Sequence, residues 1–264
     1  MIPSVILAFG SRMEMKVATG DVVNDLTRDD CRGMACRTLL PGSGADPGYG
    51  KPYPYGPSEL ASLSTERLHR LNLDGDAQSD LVAHGGIYQA AYVYSIENYD
   101  FWKRELNRTD FTFGQFGENL TVDDTLEDKI HIGDVFRVGD AMVEVTQPHV
   151  PCYKLGIKMG LPTFPKLFLS SGRVGFYLRV VREGEVGADD VFELVTSDPE
   201  PMTVREVSHL LYFDAGNLDR ARRALRIRAL SPGWRGSFEE RVAAGSIPIE
   251  YRDGAGEGEK CCGP

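Results

Sequence analysis

The sequence predicts a mixed α+β fold, with a β-barrel core over residues 1–200, a small three-helix bundle over 201–246 and a flexible tail over 247–264. Three observations carry this. Short apolar, branched runs recur between Gly-containing turns as far as residue 195, which is the mark of a closed or partly closed β-barrel. The apolar period then changes to that of helices, beginning at the capping box Thr203-Val204-Arg205-Glu206. Residues 252–264 are Gly- and Glu-rich and carry no apolar period.

Taken in order, Ser4 to Phe9 reads as a buried strand. Residues 40–57 are rich in Gly, Pro and Tyr and read as a long surface loop, and their length fits a lid or an inserted segment. Asp74-Gly75-Asp76 is a turn, and Ile87 to Tyr94 a strand. Ser95 is placed to cap a helix whose apolar face is Tyr99, Trp102 and Leu106. Residues 120–122 form a short strand. Val135 to Val145 is a hairpin folded at Gly139-Asp140. Val174 to Val181 and Val191 to Val195 complete the strands. Val204, Val207 and Leu211 then share a helical face, Asn217 caps a second helix, and Ser231-Pro232 opens a third striped with Trp234, Phe238 and Val242. Such short helices bury little alone, so they are expected to pack together against the barrel.

The chain has 264 residues, 42% hydrophobic and 26% charged, enough for a sizeable core without disulfides. Its net charge of -10 disfavours nucleic acid as a partner. No apolar stretch approaches the roughly 20 residues of a membrane span, so no membrane association and a cytoplasmic location are expected. The five cysteines, at 31, 36, 152, 261 and 262, form neither a disulfide framework nor a four-ligand zinc pattern, which suits a reducing compartment.

Chemistry concentrates in four segments. In Gln147-Pro148-His149-Val150-Pro151-Cys152-Tyr153-Lys154 two prolines stiffen the exit of a strand that ends near Thr146 and present a cysteine beside a cation. Lys154, or a protonated His149, favours the thiolate, a soft metal ligand. The competing reading is a small buried core residue. His84-Gly85-Gly86 lets a ligand approach the backbone, or is simply a tight turn. Glu118-Asn119 follows a permissive Gly117 and offers hydrogen-bonding groups, or turns the chain into the strand at 120. Arg173 at a strand start can clamp a phosphate, or lie on the surface after a helix-ending Gly172. The paired carboxylates Asp123-Asp124 sit in a turn-like context and read as solvated. No P-loop, Rossmann fingerprint, nucleophile elbow or zinc-protease spacing occurs.

Together, Asn72 to Asp80, His84-Gly85-Gly86, Phe116-Gly117-Glu118-Asn119-Leu120 and Gln147 to Leu155 resemble, in order and spacing, the MOSC domain, named for the C-terminal domain of molybdenum cofactor sulfurases. Arg173 to Val180 and the helical segment with Ala229-Leu230-Ser231-Pro232-Gly233-Trp234 are most similar to its hydroxylaminopurine-resistance branch. The resemblance covers residues 68–245. Residues 11–60 depart from it, lacking the short basic segment expected before the Asp74 turn.

The resemblance implies a MOSC-type barrel holding a molybdopterin-type molybdenum cofactor. Cys152 matches the metal-binding cysteine. His84, Gly85, Gly86, Asn119, Gln147, Lys154 and Arg173 fall on segments expected to contact the cofactor, and Cys152, His84 and Glu118 are the expected catalytic set, with His84 or Glu118 as proton source. Pyridoxal phosphate binding is a further property associated with the family. The implied activity is reduction of an N-hydroxylated small molecule with electrons from a separate flavin or iron–sulfur protein. Two other readings stay open: a carrier that binds the cofactor without turnover, and a metal-free enzyme using Cys152 as nucleophile.

Overall fold

A computed structural model describes residues 34–35, 65–74, 76, 86–187 and 190–245. The expectations for the first strand, the loop at 40–57, His84, Gly85 and the tail lie outside these residues.

The main sheet has seven strands: β1 (Met34–Ala35), β3 (Ala91–Ser95), β4 (Leu120–Val122), β5 (Val135–Val138), β6 (Ala141–Pro148), β7 (Phe176–Arg182) and β9 (Glu193–Thr196). Their spatial order is β1-β4-β3-β7-β6-β5-β9. A small ribbon pairs β2 (Glu66–Leu68) with β8 (Gly184–Val186). The sheet curls into a half-barrel and is not closed among the described residues. All pairings are antiparallel except β3 with β4. The fold is therefore mixed α and β, as its strand and helix periods require.

Strand β3 shows how the sheet organises the molecule. All five residues are buried, because both faces are covered. Side chains alternate across a strand. Ala91 and Val93 enter the core inside the curl, with Leu178 and Phe176 of β7 and Val143 and Val145 of β6. Tyr92 and Tyr94 point the other way, into a second, mostly aromatic core. That outer core seats α1 (Ile96–Glu105), α2 (Tyr153–Met159) and α3 (Phe164–Ser171) through Tyr99, Trp102, Leu155, Met159, Phe164 and Phe168.

Three readings are corrected here. The strand at 87 begins only at Ala91, because Gly86 to Tyr88 form a turn closed by the Gln89 N–H donating to the Gly86 carbonyl at 3.0 Å. Leu106 lies one residue beyond α1, and the helix buries Asn98 alongside Tyr99 and Trp102. Strand β6 continues past Thr146 to Pro148. Its register shifts between Val145 and Gln147, where the Thr146 hydroxyl donates towards the carbonyls of Tyr88 (2.7 Å) and Tyr177 (3.1 Å). A bulge of this kind re-aims the residues that follow.

The C-terminal helices are α4 (Val204–Tyr212), α5 (Leu218–Ala224) and α6 (Pro232–Ala244). The capping box is present: the Glu206 N–H donates to the Thr203 hydroxyl at 3.1 Å, and the Thr203 N–H to the Glu206 carboxylate at 2.8 Å. Asn217 caps α5 through the Arg220 N–H. Val204, Val207, Ala221, Trp234 and Phe238 belong to the same core as the inner face of the sheet. Deep in this unit Arg241 donates to the carbonyls of Leu210 and Leu211, both at 2.6 Å, in the last turn of α4.

The seam between sheet and helices is laced by main chain. The N–H groups of Ile132, Val204 and Arg205 donate to the carbonyls of Met202 (3.0 Å), Ile130 (2.8 Å) and Glu127 (2.8 Å). His131 lies in this seam, with Nδ1 3.5 Å from the buried Asp134 carboxylate. Asp134 raises the His131 pKa above its ordinary value near 6.5, outweighing partial burial, and Glu206 adds to the rise. A raised folded-state pKa stabilises fully below the unfolded value and is lost as pH climbs through the folded one. Thermal melts are therefore expected to fall between about pH 6 and 8, and His131→Gln flattens that slope. Parallel slopes in the two proteins would show that the seam does not sense this proton.

Candidate functional site

The expected site residues that are described fall around the outer, aromatic face of the sheet. Beyond the Thr146 bulge the chain runs through Gln147 and Pro148, which pair with Tyr177 and Phe176 of β7. Gln147 is buried. The chain then leaves the sheet at His149. The His149 N–H donates to the Gly175 carbonyl at 3.2 Å. Its ring stacks on Tyr92, centroids 4.3 Å apart and planes at 25°, and meets Tyr177 and Phe168 edge-on at 5.6 and 6.0 Å. This imidazole is a structural wedge that fixes the loop.

Three residues later Cys152 occupies the N-cap of α2 in extended conformation, half-buried. Pro151 disfavours a helical conformation at Val150, so α2 does not reach back past it, and Tyr153 to Met159 carry Leu155 and Met159 inward. Lys154 is half-buried in the first turn.

Glu118 is wholly buried. It accepts from the Tyr99 hydroxyl, from the N–H groups of Gly114 (3.3 Å) and Phe116 (3.1 Å), and from the Thr121 hydroxyl (3.1 Å). Burial pushes its carboxyl above the usual range, while Tyr99 and Lys158 pull it down. The carboxylate thus organises its own loop. Asn119 joins β3 to the Asp74 turn: its side-chain oxygen accepts from the Tyr92 N–H at 2.7 Å, and its amide donates to Asp76 at 2.8 Å. Gly86 has φ +95, which explains glycine there.

Arg173 lies between α3 and β7. Its guanidinium donates to Asn98 at 2.7 Å and sits 4.3 Å over the Phe101 ring. The structure therefore sets Gln147 at the end of β6, Cys152 at the N-cap of α2 and Lys154 in its first turn, holds Glu118 and Asn119 beneath the aromatic layer, and occupies Arg173 with α1. Sequence reading missed Tyr92, Tyr177, Asn98 and Glu127. Asn98 had a visible signal, a polar residue one position before Tyr99 on the buried side of a helix. Glu127 had none, since it lies inside an acidic, turn-rich stretch.

Among the described residues no three His, Cys, Asp or Glu side chains converge as a metal site. A metal here would take one sulfur from this loop and its remaining ligands from elsewhere. That fits a pterin-type molybdenum cofactor, which brings its own sulfur ligands. No helix among the described residues is long and apolar enough to cross a membrane.

A half-barrel sheet with a cysteine at the exit of its longest strand and three packed C-terminal helices defines the class. The chain belongs to the MOSC-domain family, which is associated with molybdenum cofactor binding and often with oxidoreductases. The MOSC domain model matches residues 80–193, and the YiiM-like, 3-alpha helix domain model matches 202–245. Among particular relatives, it is 40% identical to YflK of Bacillus subtilis (strain 168) over 76% of this chain and 90% of that one. It is 34% identical to YiiM of Escherichia coli (strain K12), over 74% and 89%. The crystal structure of Escherichia coli YiiM superposes with a TM-score of 0.66, covering 74% of this chain and 93% of that one at 30% identity. A protein of Gibberella moniliformis named Reductase is 29% identical over 48% of this chain but only 23% of its own length.

Proposed function

We propose that this protein is a molybdenum-cofactor-dependent reductase of N-hydroxylated small molecules, fed by a separate flavin or iron–sulfur electron donor. The observation that carries the reading is Cys152, half-buried at the head of α2 on a loop pinned by prolines and by the stacked His149. A metal-binding sulfur needs fixed geometry, and a rigid mount supplies it. The similarity to Reductase supports electron chemistry. In that protein the similar region is less than a quarter of the length, which fits electron supply residing outside this region.

Cys152 would hold the metal, with Lys154 maintaining the thiolate. Gln147, Gly86 and the segment at His84-Gly85 would contact the organic part. A bound cofactor would supply the two electrons by which an N–OH compound plus two protons yields the N–H compound and water. The chain's own task is to hold the metal by one sulfur and deliver protons; His84 is the preferred donor, because Glu118 is committed to its loop.

Protein produced with molybdate is expected to carry stoichiometric molybdenum and to reduce an N-hydroxylated purine with a chemical reductant. Cys152→Ala is expected to lose both. Metal without turnover would leave a cofactor carrier. Full molybdenum retention by Cys152→Ala would overturn the assignment of the ligand.

A further inference from the structure

Glu127 lies outside the site and outside every motif, yet it is wholly buried in a loop among β4, α1 and α4. Its Oε1 accepts from the Asn98 amide at 2.8 Å and from the Gly175 N–H at 2.8 Å. Its Oε2 has no hydrogen-bond partner among the described residues. A buried carboxylate with one oxygen unpaired is costly. An aliphatic residue of similar size would pack there without that cost, but would strand both donors.

What those donors hold is residues 173–175. The Tyr94 hydroxyl donates to the Arg173 carbonyl at 3.0 Å, and the Tyr92 hydroxyl to the Val174 carbonyl at 2.8 Å. Burial keeps both phenols neutral and able to donate. Glu127 takes the Gly175 N–H, and the Gly175 carbonyl takes the His149 N–H. Asn98 closes the ring by accepting from Arg173. The Glu127 main chain is in turn gripped by α4, through the Arg205 N–H.

We infer that Glu127 is a positioning residue for the Cys152 loop, acting through Gly175 and His149 and tying that loop to the first turn of the three-helix unit. The three helices then have a use beyond packing: they hold the carboxylate that holds the cysteine's mount. The inference rests on the reading of Cys152 as the functional residue, but its test needs no metal.

The test follows two signals in the purified chain: hydrogen exchange at the His149 amide and the rate at which iodoacetamide alkylates Cys152, both resolved by mass spectrometry. Glu127→Ala is expected to speed His149 exchange about tenfold, the order of a lost hydrogen bond to a charged group, and to change the alkylation rate several-fold. Glu127→Gln keeps the Oε1 acceptor and is expected to restore most of both. Val207→Ala lowers the melting temperature from within α4 and is expected to leave both signals at wild-type values. Asn98→Ala removes one of the two donors; it is expected to move both signals less in the same direction, and it carries the test should Glu127→Ala not fold. Signals in Glu127→Ala that match those of Val207→Ala, or an Asn98→Ala variant unchanged in both, would overturn the inference. If wild type binds no molybdenum while the two signals respond as stated, the functional reading fails and the positioning role stands.

Discussion

Gly175→Ala is expected to destabilise the protein by about 3–5 kcal/mol, lowering the melting temperature by roughly 10 °C. Two costs combine. Gly175 has φ +69, a conformation that costs an L-residue with a Cβ about 1 kcal/mol. An ideal Cβ there would also lie 2.4 Å from the Val93 carbonyl oxygen, 2.7 Å from the Tyr92 ring and 2.9 Å from that of Tyr94. Val93 is a central strand residue and cannot yield without parting β3 from β7. Gly172 supplies the comparison. Its φ is nearly the same, +67, but an added Cβ would approach nothing nearer than the Arg205 side chain at 3.7 Å. Gly172→Ala should therefore cost only about 1 kcal/mol. Equal midpoints for the two variants in denaturant would show that β3 gives way more easily than the packing implies.

Glu118→Ala is expected to cost about 4 kcal/mol, measured by denaturant unfolding. The substitution strands two buried N–H groups and two hydroxyls, and no water-filled surface lies beside a side chain that is 0% exposed. Glu118→Gln keeps an acceptor at Oε1, where three of the four donors converge, and should cost about half as much. The pair separates two roles. A proton donor facing substrate would lose turnover in both variants and little stability in either. A loop organiser loses stability in proportion to the donors stranded, and the glutamine variant keeps its turnover.

Much of this was readable along the chain. The 135–145 hairpin, the Thr203 capping box, the Asn217 cap and the Pro232 helix start stand where expected, because each is decided by residues within a few positions of one another. The same holds for the Pro-flanked mount of Cys152. The errors also have a physical pattern. β3 begins late because Gly86 to Tyr88 are spent on a turn that apolar content alone does not reveal. Helices α2 and α3 went unassigned because each is short and gains its stability from the aromatic layer beneath it. Arg173 looked like a phosphate clamp, yet its guanidinium meets Asn98 and Phe101, partners 75 and 72 positions away.

By itself, then, the chain determined most of its strands, its C-terminal helices, the family they form and the proline-flanked segment that presents Cys152, since these depend on local spacing and backbone restriction. Tertiary structure alone decided that alternate residues of β3 serve two different cores, that Glu118 is enclosed, and that Glu127 reaches the cysteine loop through Gly175. Those outcomes depend on which distant segments meet across the sheet, and on the desolvation that follows when they do.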